Sequence, residues 1–399
     1  MPGRHTHPQP DTSGRRTRAF AAVGLMGVLA VVITAMALLW PDPQADLPPT
    51  ASQQVISGAV AAMHVVACPD GSSGNGGSGA ARPAGCGTAE VVLDDGRTVR
   101  ANLPSGAAAP DVNVGDDVTL THTRNAPADL RYQIVDQQRG TQLWLICAAF
   151  ALAIVAFGRW RGLAALAGLA ITFAVLLRFV VPAILDGKPP LLVAVVGSAF
   201  IMLTVLYLTH GVSRSTTVAV LGTLASLALT GVLAFAAVTA TSLTGVADEA
   251  TAYVGEVYSV DTRGLLLAGI IIGALGVLDD VTVTQVATVD ELARANPGYR
   301  PLELYRGAIR VGRAHIAAVI NTIVLAYAGA ALPLLVLILA GSESLGRTLS
   351  DQLIAQEIVR SAVGTLGLIA AVPITTGLAA LAAGRAQRGP TAAEVTASP

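Results

Sequence analysis

From residue 142 onward, long apolar runs alternate with short polar links. Runs at residues 143–157, 163–181, 191–209, 216–240, 264–285, 314–340 and 358–383 consist largely of Ala, Leu, Val, Ile and Gly. Most approach or exceed the roughly 20 residues a helix needs to cross a hydrocarbon core of about 30 Å. An earlier run, 19–40, ends in "LLWPDP", where Trp40 suits a membrane interface. A cleaved signal peptide has a shorter apolar core, about 7–15 residues, ending at small residues. The longer run here is therefore expected to be an uncleaved anchor; the Arg15–Arg16 pair before it resembles a twin-arginine signal only superficially.

Between the anchor and the remaining runs the period changes. In 41–141, "QQVISGAVAAMHVVA", "TAEVVLDDGRTVRANL", "VGDDVTLTHT" and "YQIVDQ" read as short alternating strands. Asp95–Gly96 is a good hairpin turn. A compact β-barrel or sandwich is expected, of OB-like kind. His64 and His122 stand isolated, no catalytic triad or metal spacing is present, and the aromatics of a nucleic-acid stacking platform are missing.

The expected fold is a mostly α-helical polytopic membrane protein with about eight transmembrane helices and a small extracytoplasmic β-rich insert. Its parts are a basic tail (1–18), an anchor (19–40), a β domain with a Gly-rich loop (41–141), a seven-helix bundle (142–383) and a second tail (384–399).

Composition agrees with this picture. Of 399 residues, 53% are hydrophobic and 13% charged, against roughly 25% charged in soluble domains. Net charge is −1, so no global basic field invites nucleic acid. Lys188 is the single lysine, and the Arg, Ala and Gly bias points to a GC-rich bacterial genome. Basic residues set the orientation. Arg159, Arg161, Arg214, Arg294, Arg300, Arg306, Arg310 and Arg313 share one side with both tails, while the opposite short loops hold only Lys188, Arg263 and Arg347. Both termini are thus expected in the cytoplasm of a bacterial plasma membrane, with 41–141 outside. Cys68 and Cys86 flank the glycine-rich segment; outside the cytoplasm they are expected to form a disulfide, the alternative being two unpaired thiols. Cys147, inside an apolar run, reads as a small buried hydrophobe.

The stretch "GVLDDVTVTQVATVDEL" carries the candidate chemistry. Counted from Gly264 at 1.5 Å per residue, Asp279 and Asp280 lie about 22–24 Å along the helix, in its cytoplasmic half. An ionised Asp near a helix centre costs about 2.5–3.5 kcal/mol, so at least one is expected to face protein or water. Gly269, Gly273, Gly276 and Asp280 fall within about 60° of one another. Those glycines are expected to form a helix-packing face, since small residues let backbones approach. Thr284 and Thr288 continue the stripe, which would turn Asp280 into the bundle, with Asp279 about 100° around. An antiparallel next helix would bring Asn321 level with Asp280, and Arg313 and His315 near Thr284 and Gln285. The expected ion or solute path is therefore Asp279, Asp280, Thr284, Gln285, Thr288 and Asn321, supported by Arg313 and His315. A polar cluster in this position can equally serve to lock two helices.

With "GRAHIAAVINTIVLAYAGAALPLL" after it, that stretch resembles the paired signatures of the YibE/F-like membrane proteins, and the resemblance extends over roughly 53–383. It implies a multi-spanning bacterial membrane protein and brings no activity with it. Ala314 stands where the family pattern often has an acidic residue, so no carboxylate role belongs there.

Two functions compete. One is transport of an ion or small solute through the polar path. The other is a scaffold or receptor whose outer β domain binds a protein or envelope component. No "GxxxxGK[ST]" loop supports an ATP-driven pump, and no H-E-x-x-H motif supports a zinc peptidase. An intramembrane aspartyl protease would place its acids on separate helices. Neither an enzyme nor a cofactor is expected, the metal question is open, and the lipid bilayer is the one certain partner.

The orientation is directly testable. In a chain without native cysteines, Asp70→Cys and Glu249→Cys should react with an impermeant thiol reagent added to intact cells. Asn296→Cys should not, and its labelling would reverse the topology.

Overall fold

The computed structural model describes residues 12–42, 53–66, 86–104, 109–123, 126–127, 130–340 and 351–387. The chain divides into two units, residues 47–156 and residues 1–46 with 157–399, and each is described by itself.

The first unit contains five strands: β1 (Gln53–Val66), β2 (Cys86–Leu93), β3 (Thr98–Asn102), β4 (Asp117–Thr123) and β5 (Tyr132–Gln137). They close into a barrel in the order β1-β2-β3-β5-β4, so the alternatives of barrel and sandwich resolve to a barrel. The long β1 closes it by pairing antiparallel with both β2 and β4, with an irregularity between Val60 and Ala62. Strand alternation supplies the core: Val118 and Leu120 of β4 point inward with Val91, Ala101 and Ile134. Gly58 is needed where β1 crosses β2, because a methyl there would lie 2.7 Å from Val91 Cγ1 and from the Val92 carbonyl. The Asp95–Gly96 turn forms as its residues imply, with Gly96 at φ 83° and Arg97 Nε donating to Asp95 Oδ2 at 2.8 Å. The side-chain hydrogen bond from Arg97 holds the Asp95 carboxyl below its usual range. His122 stacks on Tyr132, the ring centroids 4.8 Å apart. Cys68 and the Cys86 side chain lie outside the described residues, and the expected disulfide with them.

The helices are α1 (Thr12–Leu38), α2 (Gly140–Val175), α3 (Val181–Leu185), α4 (Pro190–His210) and α5 (Arg214–Ala240), followed by α6 (Glu249–Val257), α7 (Thr262–Ala295), α8 (Pro301–Ala330), α9 (Leu332–Ala340) and α10 (Gln352–Gln387). A π-helical turn, Leu176–Val180, joins α2 to α3. Among the described residues, six helices are long and apolar enough to cross a membrane, with Met26–Leu38 a shorter apolar stretch. The expected count was eight. The difference lies partly in Gly140–Leu185, whose 46 residues would extend about 69 Å as one straight helix, twice a hydrocarbon core. It contains both expected runs, 143–157 and 163–181, and Arg159 between them interrupts the helix at φ 51°, ψ −126°. Cys147, expected to be buried, is exposed on α2, where the neighbouring apolar side chains are exposed as well. α8 starts at Pro301, so "PLELYRGAIRVGR", the polar stretch before the apolar run 314–340, is helical and continuous with that run.

α7 is the central helix of the second unit, packing against α4, α5, α8 and α10. Ile270, Ile271, Leu278 and Val281 on it are buried. The closest helix approaches occur at glycines of its neighbours. A side chain on Gly222 of α5 would collide with Thr375 of α10, and one on Gly367 of α10 with Thr230 of α5. α5 and α10 therefore run antiparallel, in tight contact.

This contact predicts a specific coupling. Gly222→Ala should lower the unfolding temperature of the full chain in detergent, by the equivalent of about 1–3 kcal/mol for overpacking. Adding Thr375→Ala should recover most of the loss, and additive effects in the double variant would refute the contact.

Candidate functional site

The apolar core of the bundle contains a polar layer. On α5, Thr216, Thr223, Ser226 and Thr230 are all buried and fall within about 80° of one another around the helix. Three of the hydroxyls are satisfied within α5 itself: Thr223 donates to the Ala219 carbonyl, Ser226 to Gly222 and Thr230 to Ser226, at 2.7–2.9 Å. Such back-bonding lets a hydroxyl sit in hydrocarbon without exposing an orphan donor. Thr223 also reaches across to α7, its Oγ1 lying 2.7 Å from Thr282 Oγ1.

On α7 the layer is formed by Asp279, Thr282 and Gln285, each three residues beyond the last. Since Thr223 gives its one proton to Ala219, Thr282 is the donor across its pair with Thr223, with the Asp279 carbonyl a longer, competing acceptor 3.1 Å from Thr282 Oγ1. Gln285 is fully buried; its Oε1 accepts from Thr376 Oγ1 of α10 at 2.9 Å. Gly312 of α8 makes room for it, since a methyl there would lie 2.8 Å from Gln285 Nε2. At the level of this layer Asp279 Oδ1, Gln285 Nε2, His315 Nε2 and Thr375 Oγ1 are buried with no hydrogen-bond partner, as are Arg263 Nε of α7 and Gln356 Nε2 and Arg360 Nε of α10 nearer the other ends of those helices. Of those in the layer, the first three are supplied by α7 and α8, and Thr375 by α10.

Several expectations are corrected here. Asp280 is exposed, as are Gly269, Gly273 and Gly276, whereas Asp279 is half-buried. Nothing lies within 4 Å of a side chain built on Gly269 or Gly276, and Gly273 meets only Tyr327 Oη at 3.5 Å. The glycine stripe is therefore not the packed face of α7, and the inward carboxylate is Asp279. The reason is steric. Leu and Ile of α7 fill the space between the helices, and the glycines that permit close approach belong to α5, α8 and α10. The antiparallel level of α8 is as expected: Gly273 meets Tyr327 and Leu292 meets Gly307, so Asn321 is level with Asp279. The Asn321 side chain is exposed, however, and so is Arg313; among the described residues neither pairs with Asp279 or Asp280. Thr284 and Thr288 are half-buried, with Thr288 Oγ1 donating to the Thr284 carbonyl at 2.8 Å.

The sequence reading missed Thr223, Ser226, Thr375 and Thr376. A signal was available for the last two in "AVPITTGLAAL", where Pro373 removes a helix donor just before two hydroxyl residues. No cluster of three His, Cys, Asp or Glu among the described residues is placed to hold a metal. The layer can donate and accept hydrogen bonds and offers one inward carboxylate, a set suited to a cation, a proton or a small polar solute.

The profile of the YibE/F-like protein family matches residues 146–385, which include every helix of the polar layer and leave the barrel outside. No curated protein and no solved structure matches the chain.

The Thr223–Thr282 bond can be measured. A double-mutant cycle of Thr223→Val and Thr282→Val, read by unfolding in detergent, should give a coupling of about 0.5–1.5 kcal/mol. Strict additivity would remove the bond from this description.

Proposed function

The chain belongs to the YibE/F-like family, and we propose that this membrane protein moves an ion or small solute through the polar layer around Asp279. Asp279 Oδ1 carries the proposal: a carboxylate oxygen buried in a membrane-capable helix, with no partner inside the protein. An ionised Asp in hydrocarbon is expensive, so intramembrane acids generally line a site or pathway. Gln285, His315 and Thr375 add unpartnered polar atoms from three further positions. The seam between α5 and α10 extends the layer toward the opposite end of the bundle through Thr230, opposite Gly367.

In this reading the helices cross the bacterial plasma membrane with the first apolar run as anchor. Gly140–Leu185 crosses twice, which gives eight spans. Both termini face the cytoplasm, the barrel lies outside, and Asp279 stands in the cytoplasmic half. The carboxylate binds the cation or proton, and Thr282 and Gln285 complete its coordination. No catalytic step or cofactor is assigned. The second reading is a scaffold or receptor whose barrel binds a protein or envelope component. It is supported by the barrel's own core and by Val65 and Val66, each 62% exposed at the end of β1.

Ion flux into vesicles containing the purified protein, followed with dyes for protons, sodium and potassium, separates the readings. Asp279→Asn should reduce flux more than ten-fold, about 1.4 kcal/mol or more in barrier, while the protein still inserts and melts normally. Asp280→Asn should retain most of it. Equal flux in wild type and Asp279→Asn would overturn the role of Asp279. Absence of flux for all three ions and for small solutes would favour the receptor.

A further inference from the structure

Toward the start of α7, before the polar layer along the helix, α4, α5 and α7 enclose a cleft of about 460 Å³. All its lining residues are apolar; Leu191 and Ala199 mark its length on α4, Phe235 and Leu224 on α5, and Ile271 is the contribution of α7. Leu192, Val195, Val232 and Phe235 along it are exposed, so the cleft opens sideways, toward the surface that these helices present to lipid. Leu191 to Ala199 extends about 12 Å and Phe235 to Leu224 about 16 Å. That is the depth of one leaflet of a hydrocarbon core about 30 Å thick.

One end of the cleft carries the Arg263 guanidinium, in the same turn as the Asp261 carboxylate. The first turn of α7 meets the first turn of α4 there, since a methyl on Gly264 would lie 3.2 Å from Pro190 Cδ. Arg263 Cζ stands 6.0 Å above the Phe235 ring, and its Nη2 donates to Thr239 Oγ1 at 2.6 Å. Its Nε is buried with no partner, and among the described residues no carboxylate forms an ion pair with it. A guanidinium at the end of the helices, beside an apolar slot one leaflet deep, matches a molecule with an anionic head and an alkyl tail. Arginine binds phosphate with parallel donors, which favours a phosphate over other headgroups.

We propose that this cleft holds one acyl chain of an anionic phospholipid whose phosphate is bound by Arg263. The site is independent of the transport reading, because it uses none of the same residues and its α7 contribution, Ile271, lies about 12 Å along the helix before Asp279.

Native mass spectrometry of the full chain, purified in detergent, provides the test. Phosphatidylglycerol and phosphatidylcholine with identical acyl chains are titrated separately. One phosphatidylglycerol should be retained per chain, with apparent affinity about ten-fold above phosphatidylcholine, whose phosphate is the same but whose choline cation offsets its charge and repels Arg263. Arg263→Gln should abolish the preference, and Arg263→Lys should keep most of it. Gly231→Leu should block retention of both lipids; a methyl at Gly231 meets only Ile271 Cδ1, at 3.5 Å, so the larger side chain projects into the cleft. Ala228→Leu replaces it if melting shows that Gly231→Leu is unfolded. Equal affinity for the two lipids, a preference that survives Arg263→Gln, or retention by a folded cleft-filled variant would overturn the proposal. So would inorganic phosphate binding as tightly as the lipid, or a second copy of the chain covering the cleft.

Discussion

Hydrocarbon offers no hydrogen-bond partner, so every polar atom carried into the bundle must find one within the protein or remain unpaired at a cost. The contact between α5 and α10 is shaped by that constraint. Thr223, Ser226 and Thr230 turn their hydroxyls back onto α5 carbonyls, which leaves a low surface of methyls and methylenes facing outward. Gly367 receives Thr230, and Gly222 receives Thr375. Dispersion between backbones at short range then holds the helices together, the main attractive term available where lipid tails are as apolar as leucine. Because this contact is narrow, α7 can touch both helices at once, and Thr282 meets Thr223 rather than lipid.

The long apolar helices, though six among the described residues rather than eight, the strand region and the hairpin turn were legible because each rests on a local rule: run length, alternation, or a glycine at positive φ. The facing of α7 was not. Gly269, Gly273 and Gly276 satisfy the small-residue pattern of a packing face, yet Gly269 and Gly276 have open space around them. A single helix shows where its small residues are, but not whether a neighbour uses them. Here the neighbours supplied their own small residues, Gly222, Gly312 and Gly367, and the large side chains of α7 filled what remained. That exchange rotates the helix about 100° from the expected phase and replaces Asp280 by Asp279. Two adjacent carboxylates cannot both point inward, so the sequence established that one would be buried and left the choice to tertiary packing.

The level of α8 against α7 was legible for a different reason. A short link, "NPGYRP", forces adjacent antiparallel helices, and 1.5 Å per residue then sets which positions are level. Asn321 is level with Asp279 as that arithmetic requires, but its side chain is exposed. Level follows from length; facing follows from packing. The same distinction explains why Gln285 was found and Thr376, its partner, was not. Gln285 lies in a conspicuous polar stretch, whereas Thr376 lies about 90 residues later in an otherwise apolar run.

α7 thus has two environments along one helix. Its first half places Ile270 and Ile271 among apolar side chains of α4 and α5, and its second half places Thr282 and Gln285 among hydroxyls of α5 and α10. A charge is cheapest where polar partners are already assembled and water is a short distance away, so the carboxylate pair belongs in the second half. Had Asp279 stood two turns earlier, near Ile272, its neighbours would have been the aliphatic cluster. The order of residues along α7 therefore separates two tasks, an apolar half that anchors the bundle and a polar half that can hold a charge, and both depend on the narrow α5–α10 seam that admits α7 beside it.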